Sequence, residues 1–189
     1  SKNKHVETKT APKTALRNAI IVLVFIVFAR SWYHNAIGNF YIFYAIKQRE
    51  KSKSMLILMD ISNKIQTYVN EVPDVAWDLI DLADKPLTVI LGGAKNLATN
   101  LIGKDGTIGI RITSEDFSRE LCRRFRKPIV STSANIAGKP SPSSFNEIEL
   151  GLLKLVDYVV EYRQDDLSHS NPSSIIKLGV DGSFELIRK

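Results

Sequence analysis

The sequence KPIVSTSANIAGKPS, at residues 127–141, changes from apolar to polar within a few positions. A short buried strand is predicted to start at Pro128. Ile129 and Val130 follow it, and β-branched apolar residues favour extended backbone. The residues that follow are rich in hydroxyl and amide groups, and Gly138 marks a turn. A strand that ends in this way places hydrogen-bond donors at its C-terminal edge, where open α/β sheets bind ligands. From local chemistry alone, a serine-rich loop without a function explains the stretch equally well.

The length and composition of the sequence indicate one globular domain. The chain has 189 residues, which suits a single domain with one core. Its net charge of +6 favours anionic partners such as nucleotides or RNA. The single cysteine, Cys122, excludes an internal disulfide and fits a reducing compartment. The three histidines and this cysteine do not have the spacing of metal ligands, so no metal site is expected.

The N-terminal part contains an uncharged apolar run at residues 19–29, AIIVLVFIVFA, after a polar and basic stretch. A basic start followed by a short apolar run is typical of a secretory signal. The same run also suits a central strand buried on both faces, which is the interpretation we favour. It is too short to span a bilayer, so no membrane partner is expected.

Strand and helix patterns alternate over the rest of the chain, which predicts an α/β fold. Strands are predicted at 56–59, 87–91, 107–112, 157–161 and 184–188, and helices at 60–69, 73–82, 114–125 and 144–155. Ser114 is expected to cap the third helix, with ion pairs Glu115/Arg119 and Glu120/Arg124 on its surface. A second cap is expected where Ser144 and Glu147 form a capping box.

Three sets of cations have more than one interpretation. Lys47 and Arg49 lie in a charged loop, which is usually solvated but can also clamp a polyphosphate. Arg111 follows the apolar Ile110 in a strand, so it faces away from the packed side, toward a cleft or solvent. The basic end of the third helix complements the helix dipole, and a tRNA contact is the alternative.

The stretch at 127–141 resembles the S-T-S-A-N-x-S-G-x-P-S signature of the Sua5/YrdC/YciO family, the threonylcarbamoyl-AMP synthases. Lys47-Gln48-Arg49 resembles the family's K-x-R motif, and residues 107–111 resemble its T-x-G-x-R motif. Residues 171–177 resemble its P-S-T-I-V-D strand, and Arg188 matches its closing arginine. The resemblance covers about residues 41–188. The family's P-T-D-T-x-Y-G segment has no counterpart in residues 1–40, which are therefore divergent or altered.

The resemblance implies a YrdC-like fold, a twisted, mostly mixed open sheet with flanking helices, in a single domain over residues 1–189. It also implies a cytoplasmic nucleotidyltransferase that condenses L-threonine, bicarbonate and ATP to threonylcarbamoyl-AMP and pyrophosphate, assisted by Mg²⁺. The product would serve the threonylcarbamoyl modification of adenosine in tRNA. Partners implied are tRNA and the proteins that modify it.

The family's functional residues carry over to three groups of positions here. The phosphates would be neutralised by the catalytic cations Lys47 and Arg49. The nucleotide would be held by Thr107, Ser133, Asn135, Ser141 and Arg188, with Asn135 shaping the loop. The threonine part would be held by Arg111, Ser131 and Ser174.

Three hypotheses for the function remain open at this point. The first is the active synthase. The second is a non-catalytic module that binds RNA, including double-stranded RNA, or nucleotides on the same fold, which the basic composition favours. The third is a protein that binds ATP or AMP but no longer activates threonine, which the missing N-terminal motif favours.

Overall fold

The computed structural model describes residues 55–156, 158–167 and 173–189. Within them the chain forms a six-stranded sheet with strands β1 (Leu56–Met59), β2 (Leu87–Leu91), β3 (Ile108–Ile112), β4 (Ile129–Ser131), β5 (Ser174–Leu178) and β6 (Phe184–Arg188). The order is β4-β1-β3-β2-β5-β6. Pairs β1/β3 and β2/β5 are parallel and the other pairs are antiparallel. The predicted α/β fold with a mixed open sheet is therefore confirmed.

The main core lies on one face of this sheet. Successive side chains of a strand point to opposite faces, so alternate residues of the central strands are buried together. Ile57, Val89 and Ile110 form one such row, and each is at most 1% exposed. The 3₁₀ turn Ser62–Lys64 is followed by helix α1 (Ile65–Tyr68) and then helix α2 (Asp74–Asp81). The two helices contribute Ile65 and Ala76 to the core, which covers this face with apolar side chains.

Among the described residues, the opposite face carries a smaller apolar cluster. Helix α3 (Asp116–Phe125) packs there through Cys122, which forms a small cluster with Leu58 of β1 and Ile129 of β4. A third cluster joins Ala134 to Ile148 and Leu152, the latter on helix α4 (Leu150–Leu153). After β1 the chain continues into α1 and α2 on the face of the main core. After β3 it continues into α3 on the opposite face.

The N-terminus of α3 corrects one prediction. Glu115, and not Ser114, is the N-cap, and its carboxylate accepts hydrogen bonds from the backbone N–H groups of Phe117 (3.1 Å) and Ser118 (2.7 Å). The predicted Glu115/Arg119 pair is therefore wrong, because Arg119 binds Asp116 instead. The predicted pair between Glu120 and Arg124 is confirmed, at 2.6 Å.

Two further predictions were wrong in the C-terminal half. Glu147 accepts hydrogen bonds from Ser143, not Ser144, and a 3₁₀ turn, Phe145–Glu147, replaces the start of the expected helix. The extended backbone of Ile148 ends that turn and lets its side chain join Ala134. Residues 158–161 form no strand. Side-chain contacts hold this part of the chain instead, because Tyr162 stacks on Phe117 of α3.

The N-terminal predictions lie outside the described residues. They include the strand at 19–29, the basic loop with Lys47 and Arg49, and the single-domain organisation of residues 1–189, which stays a prediction. Among the residues described, no helix has the length and apolar character needed to cross a bilayer.

Substitution of Ile110 by Ala is expected to lower the free energy of unfolding by about 2–5 kcal/mol, because Ile110 is 0% exposed in the central strand. The matched control is Ile187→Ala on the edge strand β6, where the side chain is 49% exposed and a change within about 0.5 kcal/mol is expected. Urea unfolding of both variants measures the difference. Equal losses would contradict the assignment of the core to this face.

Candidate active site

The side chains of strand β3 point alternately to the two faces of the sheet, and this alternation identifies the residues of the second face. Ile108 and Ile110 point into the main core, so Thr107, Gly109 and Arg111 lie on the other side. Gly109 is in register with Leu56, which in turn is in register with Ser131 of β4. We call this side, which carries Thr88, Arg111 and Ser131, the cleft face.

The guanidinium of Arg111 is buried on the cleft face. The residue is only 6% exposed, which corrects the alternative that it lies in solvent. Its Nε and Nη2 donate to Thr88 Oγ1 of β2, at 3.1 and 2.9 Å. Nη2 also donates to Ser173 Oγ, directly before β5. Burial, with the nearby charge of Arg188, lowers the pKa of Arg111 to about 10, so the group remains a cation at neutral pH.

A second arginine approaches the same hydroxyl group. Arg188 of β6 donates through Nε to the carbonyl oxygen of Ser173 (2.9 Å) and through Nη2 to Ser173 Oγ (3.2 Å). Two positive side chains from non-adjacent strands thus meet at one serine. We call Arg111, Arg188, Thr88 and Ser173 the arginine cluster.

The arginine cluster contains no negative group. Among the described residues, no carboxylate pairs with Arg111 or Arg188, whose acceptors are hydroxyl and carbonyl oxygens. Nη1 of Arg111 has no acceptor in this part of the chain. Every fully buried side-chain nitrogen or oxygen described does have a partner, so Nη1, which has none in this part of the chain, is not fully buried. A buried cation without a counter-charge is costly, and an anionic ligand would relieve that cost.

The loop at 131–141 leaves the edge of the same face. Ser131 is 4% exposed and its hydroxyl makes no hydrogen bond within the described residues. Ser133 Oγ donates to Asn135 Oδ1, and Asn135 Nδ2 donates to the carbonyl of Lys139. These bonds close the loop around the turn at Gly138, whose φ is +85°. Asn135 therefore links Ser133 to Lys139 within the loop.

The loop is held on its inner side by Ala134. Ala134 is 2% exposed and contacts Ile148 and Leu152. The ion pair between Lys139 Nζ and Glu149 Oε1, at 2.7 Å, connects the loop to the segment just before α4. Ser133 and Ser141 stay exposed on the other side of this support.

Thr107, at the start of β3, belongs to a second polar group. Its Oγ1 donates to Asp105 Oδ1 (2.7 Å), and Asp105 Oδ2 accepts from Lys177 Nζ of β5 (2.8 Å). The hydrogen bonds from Lys177 and Thr107 lower the pKa of Asp105 to about 2. Gly103 permits this arrangement, because a Cβ there would lie 2.7 Å from Asp105 Oδ1.

The structure brings some of the predicted site residues together and separates others. Arg111 and Arg188 meet directly at Ser173. Ser174 does not join them, because it is in register with Leu87, which packs against the main core. Lys47 and Arg49 lie outside the described residues.

Sequence reasoning assigned no role to two members of the arginine cluster, Thr88 and Ser173. The signal that could have found Ser173 is strand alternation. It places residue 173, and not 174, on the face that Thr88 shares with Arg111. For Thr88 the signal was weaker, because it consisted only of one polar side chain in an otherwise apolar strand.

A separate cavity of about 430 Å³ lies at the end of the sheet where β1 and β3 finish, and none of the predicted site residues lines it. Its charges are largely neutralised internally. Asp60 pairs with Lys64, Asp116 with Arg119, and Arg163 with a neighbouring carboxylate. This cavity therefore lacks the uncompensated charge of the arginine cluster.

The chain matches a known family over most of its length. The model of the family Sua5_yciO_yrdC, described by the words telomere recombination, matches residues 34–189. A protein of Methanocaldococcus jannaschii, provisionally named threonylcarbamoyl-AMP synthase, is 40% identical over 139 residues. That alignment covers 73% of this chain and 63% of the relative, so the chain spans less than two thirds of that protein.

Two further comparisons agree with this match. The threonylcarbamoyl-AMP synthase of Pseudoalteromonas translucida is 30% identical over 141 residues, which cover 73% of this chain and 74% of the relative. The crystal structure of Sua5 from P. abyssi complexed with L-threonine superposes with a TM-score of 0.65 at 20% identity. It covers 76% of this chain and 42% of the Sua5 chain, and at this identity it supports the fold alone.

Replacement of Asp105 by Asn is expected to lower the stability of the protein at pH 6 and to have no effect near pH 2. The folded-state pKa of about 2 lies below the ordinary value of 3.8, so the carboxylate stabilises the fold above pH 4. That contribution is lost as the pH falls through 2. Urea unfolding of the protein and the variant at pH 6, 4 and 2 measures the difference, with the exposed Asp84→Asn as control. A difference that persists unchanged at pH 2 would contradict the role of this carboxylate.

Proposed function

Because the chain belongs to the Sua5/YciO/YrdC family, we propose that it is a threonylcarbamoyl-AMP synthase. Both relatives described above carry that name, one of them provisionally. The observation in this chain that carries the proposal is the buried, uncompensated charge of Arg111, beside Arg188 on the cleft face. A substrate with a carboxylate and a nucleotide with phosphates would supply the missing negative charges.

The proposed reaction joins three small molecules. The amine of L-threonine attacks the carbon of bicarbonate, and loss of water gives N-carboxy-threonine. An oxygen of the new carboxylate then attacks the α-phosphorus of ATP, and pyrophosphate leaves with the electrons of the broken P–O bond. Neither step needs a covalent bond to the protein. The chain contributes by positioning the reactants and neutralising charge.

Each group of the site has a defined task in this proposal. Arg111 binds the α-carboxylate of threonine, since a guanidinium and a carboxylate match in geometry and charge. Ser131, whose hydroxyl makes no hydrogen bond to any described residue, lies on the same face and hydrogen-bonds the amino-acid part. We retain Ser174 there only as a sequence-based proposal, because its register places it on the other face.

The nucleotide is assigned to the remaining groups. Arg188 lies beside Arg111 and neutralises a phosphate. Thr107, Ser133, Asn135 and Ser141 hold or frame the rest of the nucleotide, and Lys47 and Arg49 neutralise its outer phosphates. No cluster of three or more metal-ligating side chains occurs in the described ranges. Magnesium therefore enters the proposal as an ion carried mainly by the phosphates and water.

A non-catalytic protein that binds RNA or nucleotides is the second candidate, and the net charge of +6 favours it. Double-stranded RNA or tRNA would then bind through cations such as the basic end of α3. Arg123 and Arg124 are both paired with Glu120, which reduces their part in such binding. A protein that has kept ATP binding and lost threonine activation is the third candidate.

The setting of the proposed reaction follows from its product. Threonylcarbamoyl-AMP would be passed to proteins that modify adenosine in tRNA. We therefore propose the cytoplasm as its location, in agreement with the single buried cysteine.

The test is ATP consumption with bicarbonate and Mg²⁺, with and without L-threonine. Pyrophosphate release that depends on threonine is expected. Arg111→Lys should raise the KM for threonine roughly 10- to 100-fold, because lysine keeps the charge but loses the planar fork, and a hydrogen bond to a charged group contributes about 1.5–3 kcal/mol. Arg124→Lys on the exposed surface of α3 is the matched control and should leave KM unchanged.

Two results would contradict the synthase. ATP binding without threonine-dependent turnover would favour the nucleotide-binding protein that has lost threonine activation. Salt-sensitive binding of RNA without any ATP turnover would favour the non-catalytic module.

A further inference from the structure

We propose that Thr88 is a positioning residue of this site. Its hydroxyl holds the guanidinium of Arg111 where a carboxylate would normally do so, which leaves the charge of Arg111 available to a ligand carboxylate. The identification of that ligand as an amino acid rests on the proposed function. The positioning itself rests on the hydrogen bonds of the arginine cluster.

The arginines supply the main hydrogen bonds that the two hydroxyl oxygens accept. An arginine only donates, and a hydroxyl oxygen has two acceptor lone pairs and one proton. Thr88 Oγ1 accepts from Nε and Nη2 of Arg111, and Ser173 Oγ accepts from Nη2 of Arg111 and Nη2 of Arg188. Both hydroxyl protons must therefore point away from the arginines.

These protons add donors to the cleft. The two hydroxyl oxygens are 3.2 Å apart, so one proton at most lies between them. The other has no acceptor among the residues that the structure describes. Together with Nη1 of Arg111 it forms a group of donors without an acceptor in the described part of the chain, which suits the two oxygens of a carboxylate.

The choice of hydroxyl partners sets Arg111 apart from other arginines of the chain. Arg119, Arg123, Arg124 and Arg163 each pair with a carboxylate. A carboxylate at position 88 would neutralise Arg111 and compete with the ligand. A neutral hydroxyl satisfies the same N–H groups and leaves the positive charge intact.

The orientation of Thr88 is fixed by its surroundings. The next residue, Val89, is 1% exposed in the main core, which holds β2 in place. A Cβ built on Gly109 would lie 3.6 Å from Thr88 Cγ2, so the methyl group rests over the bare backbone of that glycine. A β-branched side chain has few χ1 rotamers, so placing the methyl group also directs the hydroxyl toward Arg111.

The experiment compares Thr88→Val, which has the same shape without the hydroxyl, with Thr88→Ser, which keeps it. Thr88→Ala serves as a second deletion of the hydroxyl if the valine variant does not fold. Thr113→Val, at another buried threonine, is the matched control. The readouts are the KM values for threonine and ATP, and the water exchange of the Arg111 Nε–H signal in ¹⁵N NMR. That signal is assigned by its loss in Arg111→Lys.

Thr88→Val is expected to raise the KM for threonine at least about 10-fold and to leave the KM for ATP unchanged. Its Arg111 Nε–H should exchange faster, whereas Thr88→Ser and Thr113→Val should resemble the unaltered protein. An unchanged KM for threonine, or an equal rise in both KM values, would overturn the proposal.

The NMR readout needs no turnover, which separates the two proposals. If the unaltered protein shows no threonine-dependent reaction, the proposed function fails. The role of Thr88 is then decided by the Nε–H signal alone. Faster exchange in Thr88→Val supports the positioning role, and unchanged exchange overturns it.

Discussion

The site depends on the buried guanidinium of Arg111, which is held by hydroxyl groups and pairs with no carboxylate among the described residues. Arg111 is surrounded by hydroxyl groups and lies next to another cation, so the fold keeps a positive charge where few water molecules can reach it. Such a charge is stable only because neutral acceptors satisfy its N–H groups. The folded chain thus holds a buried positive charge that a bound anion would neutralise.

The two faces of the sheet have different roles in this arrangement. One face is filled by apolar residues from the strands, α1 and α2, and it fixes the positions of β2 and β3. On the other face α3 packs over β1 and β4, and the buried side chains of Thr88 and Arg111 lie on the neighbouring strands β2 and β3. Rigid strands hold side chains more accurately than loops, and the arginine cluster draws its members from β2, β3 and β6 and from the residue before β5.

The sequence predicted what depends on local pattern and missed what depends on distant contacts. Apolar runs located β1 and β2 correctly, and an alternating pattern located β3, because burial and propensity agree there. The strand expected near residue 158 failed, because a strand needs a neighbour and Tyr162 is instead held against Phe117. In the site, a family motif pointed to Arg111. The partners of Arg111 were missed, because Thr88 and Ser173 are 23 and 62 positions away along the chain.

The small cluster of Ala134, Ile148 and Leu152 has a dynamic consequence. It is separate from the main core, and it is the apolar support of the loop at 131–141. Such satellite clusters unfold locally at lower free energy than the core of the same domain. A local opening of this small cluster would therefore release the loop while the strands of the main core stay folded.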